Sequence, residues 1–442
     1  MDGLCRMTAM ELRAEIQKRT LGIEELTRLY LERIEKYDPA LNTISEINEL
    51  ALKQAKKLDS QKTGRDAILF GLPLLIKDNI DVAGLHTTAG SLALADNRAE
   101  TNAAVVENII RNGGIILGKT NMTEFANFTT EGMPPGYSSR GGTVKNAYDC
   151  SKNPGGSSTG SAVAVSAGFC SMAVGTDTSF SVVACAAENG IAGLKPQFGA
   201  LSRRGIIPIA STLDSAGALS KDLSDAILLY NGMLDRPLAP VQPIPAKELK
   251  IAINLFNREM VPDEQYRRYE QLFDTLRSEG TQFSEITQPY SPHQYRIMQC
   301  EFKRDLEQYL SQSSAKLKTL DDIIAYYEAH PQTMMKYGIT KLREAAQKSA
   351  DDLIYREAMA ERARMRRQVI GEIENYDVCI MTGPTNIMHF TGLPSLALKL
   401  CTGEDGLPKG IIMYGADERR LLAAALTIET YCSQFCPPEL YA

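Results

Sequence analysis

The chain has 442 residues, 44% of them apolar and 23% charged, the balance of an ordinary soluble globular protein. Its net charge of −6, with both signs well mixed, leaves no basic footprint for nucleic acid or an anionic membrane surface. No apolar run reaches the roughly 18 residues of a membrane-spanning helix. The opening MDGLCRMTAMELRAEIQKRT has no apolar core behind a basic start, so a cytoplasmic protein without a signal peptide is expected. The nine cysteines are odd in number and mostly in apolar surroundings, which predicts buried free thiols. Cys432 and Cys436 form the one close pair, without the spacing of a common zinc site. His86, His293, His330 and His389 are scattered and read as structural or surface residues, so neither a metal nor another cofactor is expected.

In chain order, Thr8 to Lys36 carries helical periodicity in two pieces, and Asn48 to Leu58 reads as a further amphipathic helix. Ile68 to Ile80 is an apolar strand that runs into Lys77, a residue that a strand buried on both faces seldom carries. That lysine either marks an exposed strand end or sits desolvated in a site. Ala103 to Asn112 is helical, Gly113-Gly114 breaks it, and Ile115-Ile116-Leu117 is a strand, a unit of parallel βαβ construction. Thr123 to Gly142 reads as loop, with Pro134-Pro135-Gly136 and Gly141-Gly142 as turn signals. Leu219 to Leu234 is helical and Leu249 to Ile253 is a strand, with a proline-spaced stretch between them. Residues 263–375 are mostly polar amphipathic helices, read as a helical cap folded against the sheet. Strand-like runs return at 378–381, 395–398 and 410–414, and a helix over Glu418 to Tyr431 closes the fold. The division expected is one domain over 1–442: N-terminal helices to 65, a core over 66–235, the cap, and C-terminal strands with a helix over 376–442.

Two Gly/Ser/Thr-rich turns, Pro154 to Ala162 and Gly175 to Ser181, flank an almost uncharged run of small residues. Linkers do not enclose an apolar segment of this kind, and a nucleophile site explains it better. Acyl transfer needs a nucleophile, a base and donors for the oxyanion. No histidine is placed for a Ser-His-Asp triad, which leaves serine with lysine. The lysine must then be neutral at working pH. Bringing its pKa from about 10.4 to near 7 takes about 4–5 kcal/mol of differential stabilisation. Lys77, behind Leu74, Leu75 and Ile76, fits that requirement better than the lysines set among charges on helices.

The segments GLPLLIKDNIDVAG, GGIILGKTNMTEFA, NPGGSSTGSAVAV, GTDTSFSVVACAAENGIAGLKP and STLDSAGALSKDLSDA resemble, in order and spacing, the amidase signature family. The helical middle block is similar to that of its peptide-amidase-like branch. The resemblance implies an α/β fold: a large mixed, mostly parallel twisted β-sheet sandwiched between α-helices, with a helical cap region. It also implies a Ser–cis-Ser–Lys triad. Ser181 is then the nucleophile, Ser157 the bridging serine with a cis peptide before it, and Lys77 the base; the two serines lie 24 residues apart, the family's usual separation. Backbone N–H groups of Thr178, Ser179, Phe180 and Ser181 form the implied oxyanion hole. Ser158, Thr176 and Asp177 either hold the two turns or are merely structural, and Phe125, Met133 and Phe180 are either pocket walls or core.

The departures are specific. Ser179-Phe180 stands where the family usually has Gly-Gly, and Val182-Val183 replaces the Ile-Arg typical of the transamidosome member. The segment between Pro384 and Gly392 is short. The expected activity is hydrolysis of a linear carboxamide C–N bond, of a peptide or N-acyl amide, through a serine acyl-enzyme. The alternatives are a glutaminase serving as the amidotransferase A subunit of a multi-subunit complex, an acyltransferase, and a catalytically impaired relative. A small-molecule or peptide amide is the expected partner, with a monomer or homodimer as the assembly. No arginine or aspartate stands out as an anchor for a charged substrate.

Overall fold

The computed structural model describes residues 2–61, 63–433, 437, 438 and 440. Cys436 lies outside the described residues, and the other cysteines are free thiols, buried except for exposed Cys150 and half-buried Cys401 and Cys432. The first helical region divides into Ala9–Lys18 and Ile23–Leu41 because Arg19 takes a left-handed C-cap with φ 62°. Thr8 and Glu11 close the N-terminus of the first piece as a capping box.

The strands are β1 Ile44–Ile47, β2 Pro73–Lys77, β3 Ile115–Thr120, β4 Tyr137–Ser138, β5 Gly142–Thr143, β6 Met172–Asp177, β7 Ala192–Lys195, β8 Ser215–Ser220, β9 Lys250–Asn254, β10 Gln282–Ile286, β11 Val378–Met381, β12 Ser395–Thr402 and β13 Pro408–Tyr414. Apart from the small β4–β5 hairpin they form one eleven-stranded mixed sheet, in the order β1-β3-β2-β6-β8-β7-β12-β13-β11-β9-β10. Parallel pairing runs through β3, β2 and β6 on one side and through β11, β9 and β10 on the other. Antiparallel ladders from β6 to β11 join the two blocks.

Among the strands that escape sequence reading are β6, β8 and β10. β6 and β8 are built from small residues without β-branched runs, and β8 falls where the pattern suggests the start of a helix. Both are buried along their full length, so tertiary packing overrides their weak propensity. β10 lies at the sheet edge inside the region expected to be mostly helical, and pairs with β9 in parallel from Gln282 to Ile286.

The small-residue run becomes the helix Thr159–Ser166, every residue of which is buried. Its composition follows from closeness to its neighbours. A Cβ on Gly160 would stand 2.4 Å from the Asn121 carbonyl oxygen and 2.5 Å from that of Thr43. One core lies between the sheet and the N- and C-terminal helices. A second joins Phe125, Phe128 and Ile209 to the cap helices through Phe302, Leu306 and Tyr327. Among the described residues no helix is long and apolar enough to cross a membrane.

Candidate active site

Lys77 ends β2 between β3 and β6 and is fully buried. Its Nζ donates to Ser157 Oγ at 2.8 Å, Ser158 Oγ at 2.9 Å and Thr176 Oγ1 at 2.8 Å, with Thr176 O at 3.2 Å. All of these are neutral oxygens. Burial therefore pulls the ammonium down to about 7, against weaker long-range pulls from Cys185, Asp177 and Asp214. The exposed-strand-end reading of Lys77 does not hold.

Ser157 opens the turn before the helix Thr159–Ser166, and the Gly156–Ser157 peptide is cis. Its hydroxyl donates to Ser181 Oγ at 3.0 Å. The two turns are also tied through the main chain, since Ser158 N–H donates to Ser181 O at 3.2 Å. Lys77, Ser157 and Ser181 are thus brought into one line of contacts. Ser158 and Thr176 touch the lysine directly, and Ser158 also donates to Thr176 O at 3.0 Å. The N–H groups of Ser179, Phe180 and Ser181 donate to no hydrogen bond among the described residues, which leaves them available at the turn.

Asp177 closes that turn. Its Oδ2 accepts Val182 N–H at 2.7 Å, and its Oδ1 lies 3.1 Å from His389 Nδ1. Burial pushes the Asp177 carboxyl up, but His389 and Lys195 beside it outweigh burial and hold it below the usual carboxylate range. Phe180, in the place of a family glycine, has φ +68°, a left-handed conformation that a glycine adopts without cost. Its ring packs on His389 with centroids 4.4 Å apart. The substituted residue keeps the glycine-like backbone and docks its side chain on a histidine from the short 384–392 segment.

Thr178 is held from two sides. Its hydroxyl donates to Asp214 Oδ1 at 2.6 Å, and Gln294 Nε2, from the cap helix His293–Ser311, donates to its carbonyl at 2.9 Å. Burial pushes Asp214 up to about 7 against hydrogen bonds from Thr178, Ile209 and Ala210. A cavity of ≈ 440 Å³ reaches the site at Thr176 and Thr178 and is lined further by Asn79, Arg203 and Asp214. Phe125, Met133 and Phe180 do not line it. Phe125 is buried edge-on against Phe302 at 6.0 Å, and only its neighbour Ala126 reaches the cavity.

Sequence reasoning missed Asn79, Lys195, Asp214, Gln294 and His389. Asn79 donates to Thr176 Oγ1 at 3.1 Å, and Lys195, brought to about 8 by burial, donates to Leu393 O at 2.8 Å. Asp214 lies inside a family-like segment and could have been found there. Gln294 and His389 have no local signal, because they arrive from the cap and from the C-terminal third. Among the described residues no group of three or more His, Cys, Asp or Glu is placed to hold a metal ion.

The family model described as Amidase matches residues 25–388. A probable amidase of Arabidopsis thaliana is 30% identical over 470 residues, spanning 98% of this chain and 92% of the plant protein. The glutamyl-tRNA(Gln) amidotransferase A subunit of Thermoanaerobacter pseudethanolicus is 30% identical over 479 residues, 96% of each chain. Among solved structures, the native peptide amidase from Stenotrophomonas maltophilia matches with a TM-score of 0.88 at 30% identity, covering 98% of this chain and 99% of that one. The chain belongs to the amidase signature family, in its peptide-amidase-like branch.

Proposed function

We propose that this chain hydrolyses the C–N bond of a linear carboxamide through an acyl-enzyme on Ser181. The observation that carries the reading is the unbroken line from Lys77 Nζ to Ser157 Oγ to Ser181 Oγ, at 2.8 and 3.0 Å, starting from a buried lysine in contact with no carboxylate. With Lys77 neutral the two hydroxyls turn round. Ser181 Oγ attacks the amide carbon as its proton passes to Ser157, and the Ser157 proton passes to Nζ. The carbonyl oxygen becomes an oxyanion that the N–H groups of residues 179–181 face, each donor contributing on the order of 10²–10³ in rate. The proton then returns through Ser157 to the departing nitrogen, the C–N bond breaks, and the amine leaves. Water attacks the Ser181 ester with the same relay as base, releasing the carboxylic acid.

The similarity to the amidotransferase A subunit along nearly the whole chain supports a second reading, glutamine hydrolysis within a complex. Val182-Val183 after the nucleophile speaks against it. A fluorophosphonate probe and a panel of primary and secondary amides test the first reading. Ser181→Ala is expected to abolish both labelling and amide turnover, and full labelling of that variant would overturn the assignment. Ammonia release from glutamine only in the presence of co-purified partner proteins would favour the second reading.

A further inference from the structure

Charge in the 440 Å³ cavity is spent unevenly. Asp305 accepts Ser211 N–H at 2.6 Å and Arg304 Nε at 2.8 Å. Asp81 accepts the Tyr309 hydroxyl at 2.7 Å. Asp214 accepts Thr178 Oγ1, Ile209 N–H and Ala210 N–H. Arg204 is engaged with Glu107 at 2.6 Å. Arg203 is the exception: among the described residues its guanidinium has no hydrogen bond or ion pair, and its Nη1 is a buried donor without a partner. It rests on the Phe198 ring, 5.2 Å from the centroid, a contact that orients the plane of the group without using its N–H donors.

We propose that Arg203 anchors a carboxylate carried by the amide substrate, bound in the cavity beside Thr178. The inference rests on the amidase reading above and names the substrate class for the same site. A buried donor left unpaired costs the desolvation of that donor, so a guanidinium that lines a cavity with Nη1 unpaired favours an anion bound there. The planar fork matches a carboxylate through two parallel N–H···O bonds. Each aspartate that lines the cavity already accepts hydrogen bonds of its own. Thr178 supplies the continuity, since it lines the cavity and lies three residues before Ser181 in the turn that presents the N–H donors.

The test uses the whole chain and three acids: succinamate and glutaramate, with the carboxylate on the acyl part, and N-acetylglycine, with it on the amine part. Each is compared with the methyl ketone that replaces its carboxylate, and the readout is the ratio of kcat/KM for acid over ketone. In at least one pair the ratio is expected to exceed ten, to fall at least tenfold in Arg203→Met, and to be partly kept in Arg203→Lys. A ratio near one in every pair, or one that survives Arg203→Met, overturns the anchor, while Ser181-dependent turnover of the ketones leaves the amidase reading standing. If no amide in the set is turned over, glutarate is titrated calorimetrically into Ser181→Ala protein. Binding that disappears in Ser181→Ala/Arg203→Met supports the anchor; no binding, or equal binding of inorganic phosphate, overturns it.

Discussion

Lys77 and Lys119 lie on the adjacent parallel strands β2 and β3, both fully buried, and burial pulls both ammonium groups below the ordinary lysine range. Their surroundings differ in one respect. Lys119 Nζ lies 3.8 Å from Asp78 Oδ1 and donates to His86 O at 2.8 Å and Thr87 Oγ1 at 3.1 Å. Asp78, Asp81 and Glu46 all favour its charged form. Lys77 has hydroxyls and a carbonyl around it and, among the described residues, no carboxylate in contact. The same desolvation thus yields a structural ion pair on one strand and, on its neighbour, an amine suited to the proposed role of base. What separates them is the counter-ion, not the depth of burial.

The largest expected effect comes from removing each amine in turn. Lys77→Ala is expected to lower kcat/KM on any turned-over amide by roughly 10²–10⁴, with the fold intact by circular dichroism. Lys119→Met is expected to act the other way, lowering stability in urea unfolding by removing one of the two cations beside Asp78, Arg140 being the other, while the folded fraction keeps its turnover. Equal losses of turnover in the two variants would erase the distinction.

Next in size is the pH dependence. The relay needs Lys77 neutral, so kcat/KM should fall about tenfold per unit as pH drops below about 7. Asp214 also titrates near 7, and Asp214→Asn separates the two: the acid limb should stay where it is if Lys77 sets it. Stability carries the same signature. The folded-state pKa of Lys77 is depressed, so between about 7 and 10.5 the unfolded chain binds the extra proton and stability rises with pH. Lys77→Met should flatten that rise in unfolding free energies measured at pH 7 and pH 9.

The smallest effect sharpens the comparison within the nucleophile turn. Phe180→Gly relieves a left-handed backbone worth about 1–2 kcal/mol but gives up the packing on His389. Stability is expected to change by less than about 1 kcal/mol. The rate on bulky acyl groups should rise several-fold relative to small ones. A uniform loss across acyl sizes would mean that the ring holds the turn and does not restrict the pocket.

The amino-acid pattern carries Lys77 well, because a charge at the end of an apolar strand is visible locally. The two glycine- and serine-rich turns are equally legible, and family resemblance assigns Ser157 and Ser181 within them. β6 and β8 stay hidden because a fully buried central strand of small residues carries neither alternation nor β-branched enrichment. His389 and Gln294 stay hidden for a different reason. Their significance comes from partners far away in the chain, 212 residues for His389 with Asp177 and 116 for Gln294 with Thr178. No window of sequence spans such a distance.

The main-chain bond from Ser158 to Ser181 has a practical consequence for redesign. It fastens the two serine-bearing turns to each other directly, beside the contact between the Ser157 and Ser181 hydroxyls. A cap taken from another amidase would leave these direct bonds in place. Such a graft must keep Gln294, or another donor to the Thr178 carbonyl, because the turn proposed to hold the oxyanion takes that support from the cap.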